Sequence, residues 1–145
     1  MGHYPVVLSG DGNAPSLGYR SYVAQLSQYG TNAPVANILQ NTLGYTPTWS
    51  RIYNGTYRLS STQLSAENND KVVVFLTIGR YPSEAQEFGW SAQVRWDREN
   101  NYVVISTAYD NYNTEVNQYL LSDDILSDLS GDDFWRASFE LRIYD

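Results

Sequence analysis

Short apolar runs with a period near two, separated by turn residues, dominate the chain from about residue 20 onward. Val23, Leu26, Val35, Ile38, Leu39 and Trp49 fall in runs divided by Gly30-Thr31-Asn32, by Gly44 and by Asn54-Gly55. That is the punctuation of successive β-strands, and it predicts strands at 20–28, 35–41, 47–53 and 56–61. Asn54-Gly55 reads as a tight type I′ hairpin, because both residues accept positive φ. Residues 65–70 read as a polar loop. The run at 71–78, with Val72 to Leu76 all apolar, predicts a central strand covered on both faces. A loop with Pro82 follows. Trp90, Ala92, Val94 and Trp96 then alternate with Ser91, Gln93, Arg95 and Asp97, and a turn at 98–101 leads into a strand at 102–108. Trp90, Trp96, Tyr102 and Val104 are expected to meet across this second hairpin. Residues 110–118 read as a polar loop and 119–121 as a brief strand. Ser122 reads as the cap of a short helical turn that Gly131 ends, and a last strand is expected over 136–144. Residues 1–18, with Pro5, Pro15 and four glycines, read as an extended arm. The pattern implies an all-β chain: a single antiparallel β-sandwich or jelly-roll-like domain over 19–145 behind an N-terminal arm, with a barrel as the alternative.

Part of this pattern is also familiar. The succession Gly30-Thr31-Asn32-Ala33-Pro34-Val35-Ala36, Leu39-Gln40-Asn41-Thr42-Leu43-Gly44, Thr48-Trp49 and Gly55-Thr56-Tyr57 resembles a module of virion-associated proteins of phages that infect Bacteroidetes, crAss-like phages included. The end, Phe139-Glu140-Leu141-Arg142-Ile143-Tyr144, resembles that module's closing strand, which typically reads like IEIRVY. The resemblance covers about residues 20–60 and the last few. It implies an all-β virion component, a capsid decoration, head-fibre or tail-appendage protein, located in the virion, and it supplies no catalytic residues. The stretch from Asp128 to Trp135 departs from the module, which passes straight from a turn into its last strand, so the family implies no role for it.

The 145 residues suffice for one domain with a core. With no cysteine and His3 as the one histidine, thiolate sites, cysteine nucleophiles and histidine triads are excluded. No apolar run approaches membrane-spanning length and the N-terminus has no signal-peptide pattern, so no membrane partner is expected. A net charge of −7 argues against nucleic acid. The charge is uneven. Residues 1–66 hold one acid and three bases, net +2, whereas residues 67–145 hold fifteen acids and six bases, net −9. A solvated acidic face accounts for this; opposite-signed surfaces meeting between subunits would too, and salt would then weaken self-association. Eight of the nine bases are arginine, and thirteen tyrosines and four tryptophans accompany them, the residue types enriched at protein contacts.

Candidate chemistry is sparse. Five aspartates between Asp123 and Asp133 could surround calcium, but their spacing fits no calcium loop, and a solvated turn explains them. No metal or other cofactor is expected. Glu84 with Glu87, or Asp97 with Glu99, are the only carboxylate pairs for a hydrolase, and proximity in sequence gives no cleft, so no enzyme is expected. Sugar rings stack on exposed aromatic faces, and Trp90, Trp96, Tyr109 and Tyr112 lie near polar loops, which makes a carbohydrate-binding module for host surface glycans the competing expectation. The assembly reading instead uses Tyr4, Tyr19, Arg20, Arg51 and Arg58 as contacts to sister subunits or other virion proteins, such as capsid or fibre subunits. The expected state is a homo-oligomer, a trimer by analogy with fibre symmetry.

Overall fold

The computed structural model describes residues 17–78, 90–113, 118–121 and 137–145, with side chains described at 17–78, 91–108 and 137–145. Among the described residues nine strands form two packed antiparallel sheets: β1 (Tyr19–Ser27), β2 (Val35–Asn41), β3 (Thr48–Tyr53), β4 (Thr56–Ser60), β5 (Val72–Ile78), β6 (Trp90–Asp97), β7 (Tyr102–Asn113), β8 (Gln118–Leu121) and β9 (Ala137–Tyr144). One sheet has the order β2-β1-β9-β5; the other runs β3-β4-β7-β6, with β8 paired to the far half of β7. The chain is an all-β sandwich.

Alternation decides what is inside. On β1, Tyr22, Ala24 and Leu26 point inward, and on β9, Ala137, Phe139, Leu141 and Ile143 do so beside them. Tyr57 and Leu59 of β4 and Val103 and Ile105 of β7 answer from the other sheet. Phe139 packs edge-on against Trp49 at 5.1 Å and Tyr22 at 6.0 Å, and Trp49 Nε1 donates to Tyr22 Oη at 3.1 Å, so the indole N–H is not left unpaired in the core. Burial pushes the Tyr22 phenol up, and the bond from Trp49 partly offsets this.

At one end of the sandwich the buried Gln28 amide organises the first turn. Its Nε2 donates to the carbonyls of Gly30 and Asn32 at 2.7 and 3.0 Å, while Tyr57 Oη donates to its Oε1 at 2.8 Å. At the opposite end Arg20 forms a two-oxygen contact with Glu67 at 3.0 and 2.9 Å and donates to the Leu43 carbonyl, and Tyr45 Oη donates to Glu67 at 2.8 Å. Burial first, and then the adjoining carboxylate, holds the Tyr45 phenol well above its ordinary range. This cluster ties the β2–β3 connection to the segment after β4.

The structure corrects four expectations. Residues 71–78 form an edge strand rather than a central one: β5 pairs only with β9 among the described residues, and Val73 and Phe75 face outward over Arg142. The hairpin at 53–56 is not type I′, because Gly55 has φ +69° while Asn54 keeps negative φ, and a bulge at Ile52 absorbs the mismatch. Residues 62–65 form a one-turn helix, α1, capped by Ser61 Oγ on the Leu64 amide at 3.0 Å, with Leu64 fully buried; a 3-10 turn follows at Asn69–Lys71. β7 continues to Asn113 and β8 starts at Gln118, inside the stretch read as a loop. The helical turn expected from Ser122 and nearly all of the arm lie outside the described residues.

Candidate functional site

The sandwich has two rims, and they differ. On one side the outermost strands are β2 and β3, joined by residues 42–47. Among the described residues β2 pairs with β1 alone, through the register Ser27↔Val35 to Tyr22↔Asn41, with Leu39 as the extra residue of a bulge. Its far edge presents unpaired backbone N–H and C=O groups among the described residues. Val35 is 58% exposed, Ile38 42% and Leu39 60%, while Ile52 and Tyr53 of β3 are exposed on the same rim.

Residues 21–50 contain no charged side chain of either sign. Residues 109–136, by contrast, hold seven acids and one base, net −6 of the chain's −7. Edge strands of soluble domains are ordinarily blunted by lysine, by inward charge or by covering segments. Among the described residues, β2 has only its bulge. The local chemistry of this rim suits addition of another strand, with main-chain hydrogen bonds supplying affinity and Val35 and Leu39 supplying apolar contact.

A second surface lies on the outward face of the β2-β1-β9-β5 sheet. Arg142 Cζ lies 4.7 Å from the Tyr19 ring centre and 5.1 Å from that of Phe75, Tyr19 packs against Tyr144 at 5.2 Å, and Arg142 pairs with Glu140. This is a cross-strand ladder in which one guanidinium is stacked, hydrogen-bonded and charge-compensated. It stiffens the face through three strands.

The residues expected to carry contacts therefore divide. Tyr19 belongs to that ladder. Arg20 is engaged with Glu67 and Leu43 and positions the end of the fold. Arg51 sits half-buried on β3 opposite Tyr57. Arg58 lies 4.0 Å over the Tyr102 ring and donates to its hydroxyl at 3.2 Å. Tyr4 lies outside the described residues. Of the aromatics expected to stack on sugars, Trp96 turns inward: it stands opposite Val103, packs against the core, and its Nε1 donates to Asn69 Oδ1 at 2.9 Å. Tyr102 and Val104 occupy the other face, opposite Asp97 and Arg95, so they do not meet Trp96 as the sequence suggested. Trp90 and Tyr109 are backbone partners in β6 and β7, and Tyr112 pairs with Tyr119; their side chains lie outside the described residues. Sequence reasoning missed the β2 edge itself, although the charge-free stretch that marks it was in view. Comparison with protein-family models, with curated proteins and with solved structures finds no match to this chain.

Proposed function

We propose that this chain is a non-enzymatic structural component of a phage particle, a capsid decoration or a head- or tail-fibre protein, which works through protein–protein contacts. The observation that carries the reading is the β2 rim: a seven-residue strand edge, unpaired among the described residues, free of charge and lined by exposed Val35 and Leu39, in a chain that is otherwise strongly acidic.

The phage assignment rests on the resemblance, and the topology supports it. The two segments that carry the resemblance are far apart in sequence, yet they supply β1 to β4 and most of β9, and β1 pairs with both β2 and β9. They form one connected piece of the sandwich. The carbohydrate reading has less support, since Trp96 spends its ring on the core and its N–H on Asn69.

Quantitative peptide mass spectrometry of density-purified particles tests the proposal, with copy number scaled to the major capsid protein. Tens to hundreds of copies per particle are expected, as symmetric shells and fibres require. Absence from particles would overturn it.

A further inference from the structure

We infer that β2 pairs edge to edge with β2 of a second copy of this chain, antiparallel and centred on Asn37, so that one sheet continues as β5-β9-β1-β2-β2-β1-β9-β5. The inference rests on the assembly reading of the same edge and names its partner.

Three observations select a second copy. The first is self-complementarity. A strand that pairs with itself about Asn37 sets Val35 opposite the second copy's Leu39 and Ala36 opposite the second copy's Ile38, each contact occurring twice. Val35 and Asn37 lie on the outward face with their β1 partners Ser27 and Gln25, while Ala36 and Ile38 face the sandwich interior opposite Leu26 and Ala24. Apolar groups therefore meet on the inner face of the new ladder, and Val35 comes beside Leu39, the residue of the bulge. The Asn37 amide, already held by donation to Gln25 Oε1 at 3.1 Å, lies at the two-fold axis.

The second observation is charge. Two copies at −7 each repel, and a stretch free of charge is a place where they meet without adding to that repulsion. The stretch 21–50 is such a place, and β2 is the strand within it that sits on an edge. The third is the paired rim. β3 is the outermost strand of the other sheet on the same side, with Ile52 and Tyr53 exposed, so an axis through the rim brings both sheets of one copy against both sheets of the other. An isologous contact of this kind closes at two copies, in place of the trimer expected from fibre symmetry.

Sedimentation of the full 145-residue chain over a wide concentration range provides the test. A dimer is expected, and the Val35→Lys/Leu39→Lys double variant should sediment as a monomer with an unchanged far-UV spectrum, while Phe75→Lys, on the opposite rim, should remain dimeric. Added salt should leave the wild-type dimer unchanged or tighten it, because it screens the repulsion and the interface holds no ion pair. Hydrogen exchange should slow at β2 amides as concentration rises.

A wild-type chain that is monomeric at every concentration, or trimeric, would overturn the inference. So would a dimer that survives in the double variant or dissociates in salt, the latter being the mark of contact between opposite charges. Protection in dilute monomer of the β2 amides that point away from β1 would show that another segment of the same chain covers the edge, and would overturn it too. The outcomes separate from those of the particle experiment: a monomeric chain found in particles defeats the self-pairing alone, and a dimer absent from particles defeats the phage reading alone.

Discussion

The two rims of this sandwich show that an edge strand is defined by its surroundings more than by its own residues. β5 is the more apolar strand, yet it is the better protected. Val72, Val74 and Leu76 pack toward the core beside Ala92, Val94 and Trp96 of β6, the outermost strand of the facing sheet, and the two strands lie close together. Charges surround them: Lys71 reaches the Asp145 carbonyl, Arg98 pairs with Asp70, and Arg95 lies 3.6 Å from Asp97. At the other rim β2 and β3 carry fewer apolar residues, but the sheets stay open there and Ile38, although it points inward, keeps 42% of its surface exposed. Closure and charge separate the protected rim from the exposed one.

The largest effect that probes this contrast is a matched truncation of one inward residue at each rim. Leu76→Ala should cost about 2 kcal/mol in urea denaturation, since it opens space beside the core. Ile38→Ala should cost about 1 kcal/mol or less in dilute protein, because much of that side chain is already wet. Equal costs would mean that the β2 rim is covered in solution, and the contrast would fail.

A smaller loss is expected at the closed rim from Trp96→Phe. The change removes the bond to Asn69 and leaves the half-buried side-chain oxygen to find water, for a loss of about 1 kcal/mol. No loss would show that the indole is not fixed there.

The smallest effect is pH-dependent and belongs to the turn that ends the closed rim. The Asp97 carboxylate accepts from the Asn100 side chain and from the backbone amides of Asn100 and Glu99, and these bonds, with Asn100 first, hold it below the ordinary carboxylate range. The ionised form is therefore the one the fold favours. Its contribution is complete above the ordinary Asp value, about 3.9, and is lost as pH falls through the lowered one. The Tm gap between wild type and Asp97→Asn should accordingly be widest near neutrality and close in strong acid. A gap that widens in acid would reverse the sign and remove Asp97 from this role.

Much of the fold was legible because local chemistry settles it. The bounds of β2 and the 98–101 turn follow from alternation and from turn residues, and Asn101, at φ +59°, closes that turn with its amide on the Asp97 carbonyl at 2.7 Å. What escaped depends on partners distant in the chain. Five consecutive apolar residues at 72–76 read as a strand buried on both sides, and only the stacking of Phe75 near Arg142 shows how an outward ring is accommodated. Arg20 read as a contact residue because arginine is enriched at protein contacts; Glu67, distant in sequence, pairs with it from after β4. Trp96 lay correctly on one face with Ala92 and Val94, but alternation cannot say which face is the interior. The β2 edge was invisible for the same reason, since pairing order and not residue pattern decides which strand is last.

The pairing of β1 with β9 bears on synthesis. Tyr19 stands beside Tyr144, and the Asp145 amide donates to the Gly18 carbonyl at 3.0 Å, so the first described strand completes its hydrogen bonds with the last described one. On a ribosome, the β1–β2 hairpin is made well before β9 and must wait, its inner face uncovered, until β9 emerges. Such a sheet closes only after translation of β9, and the nascent chain carries that apolar face exposed until then.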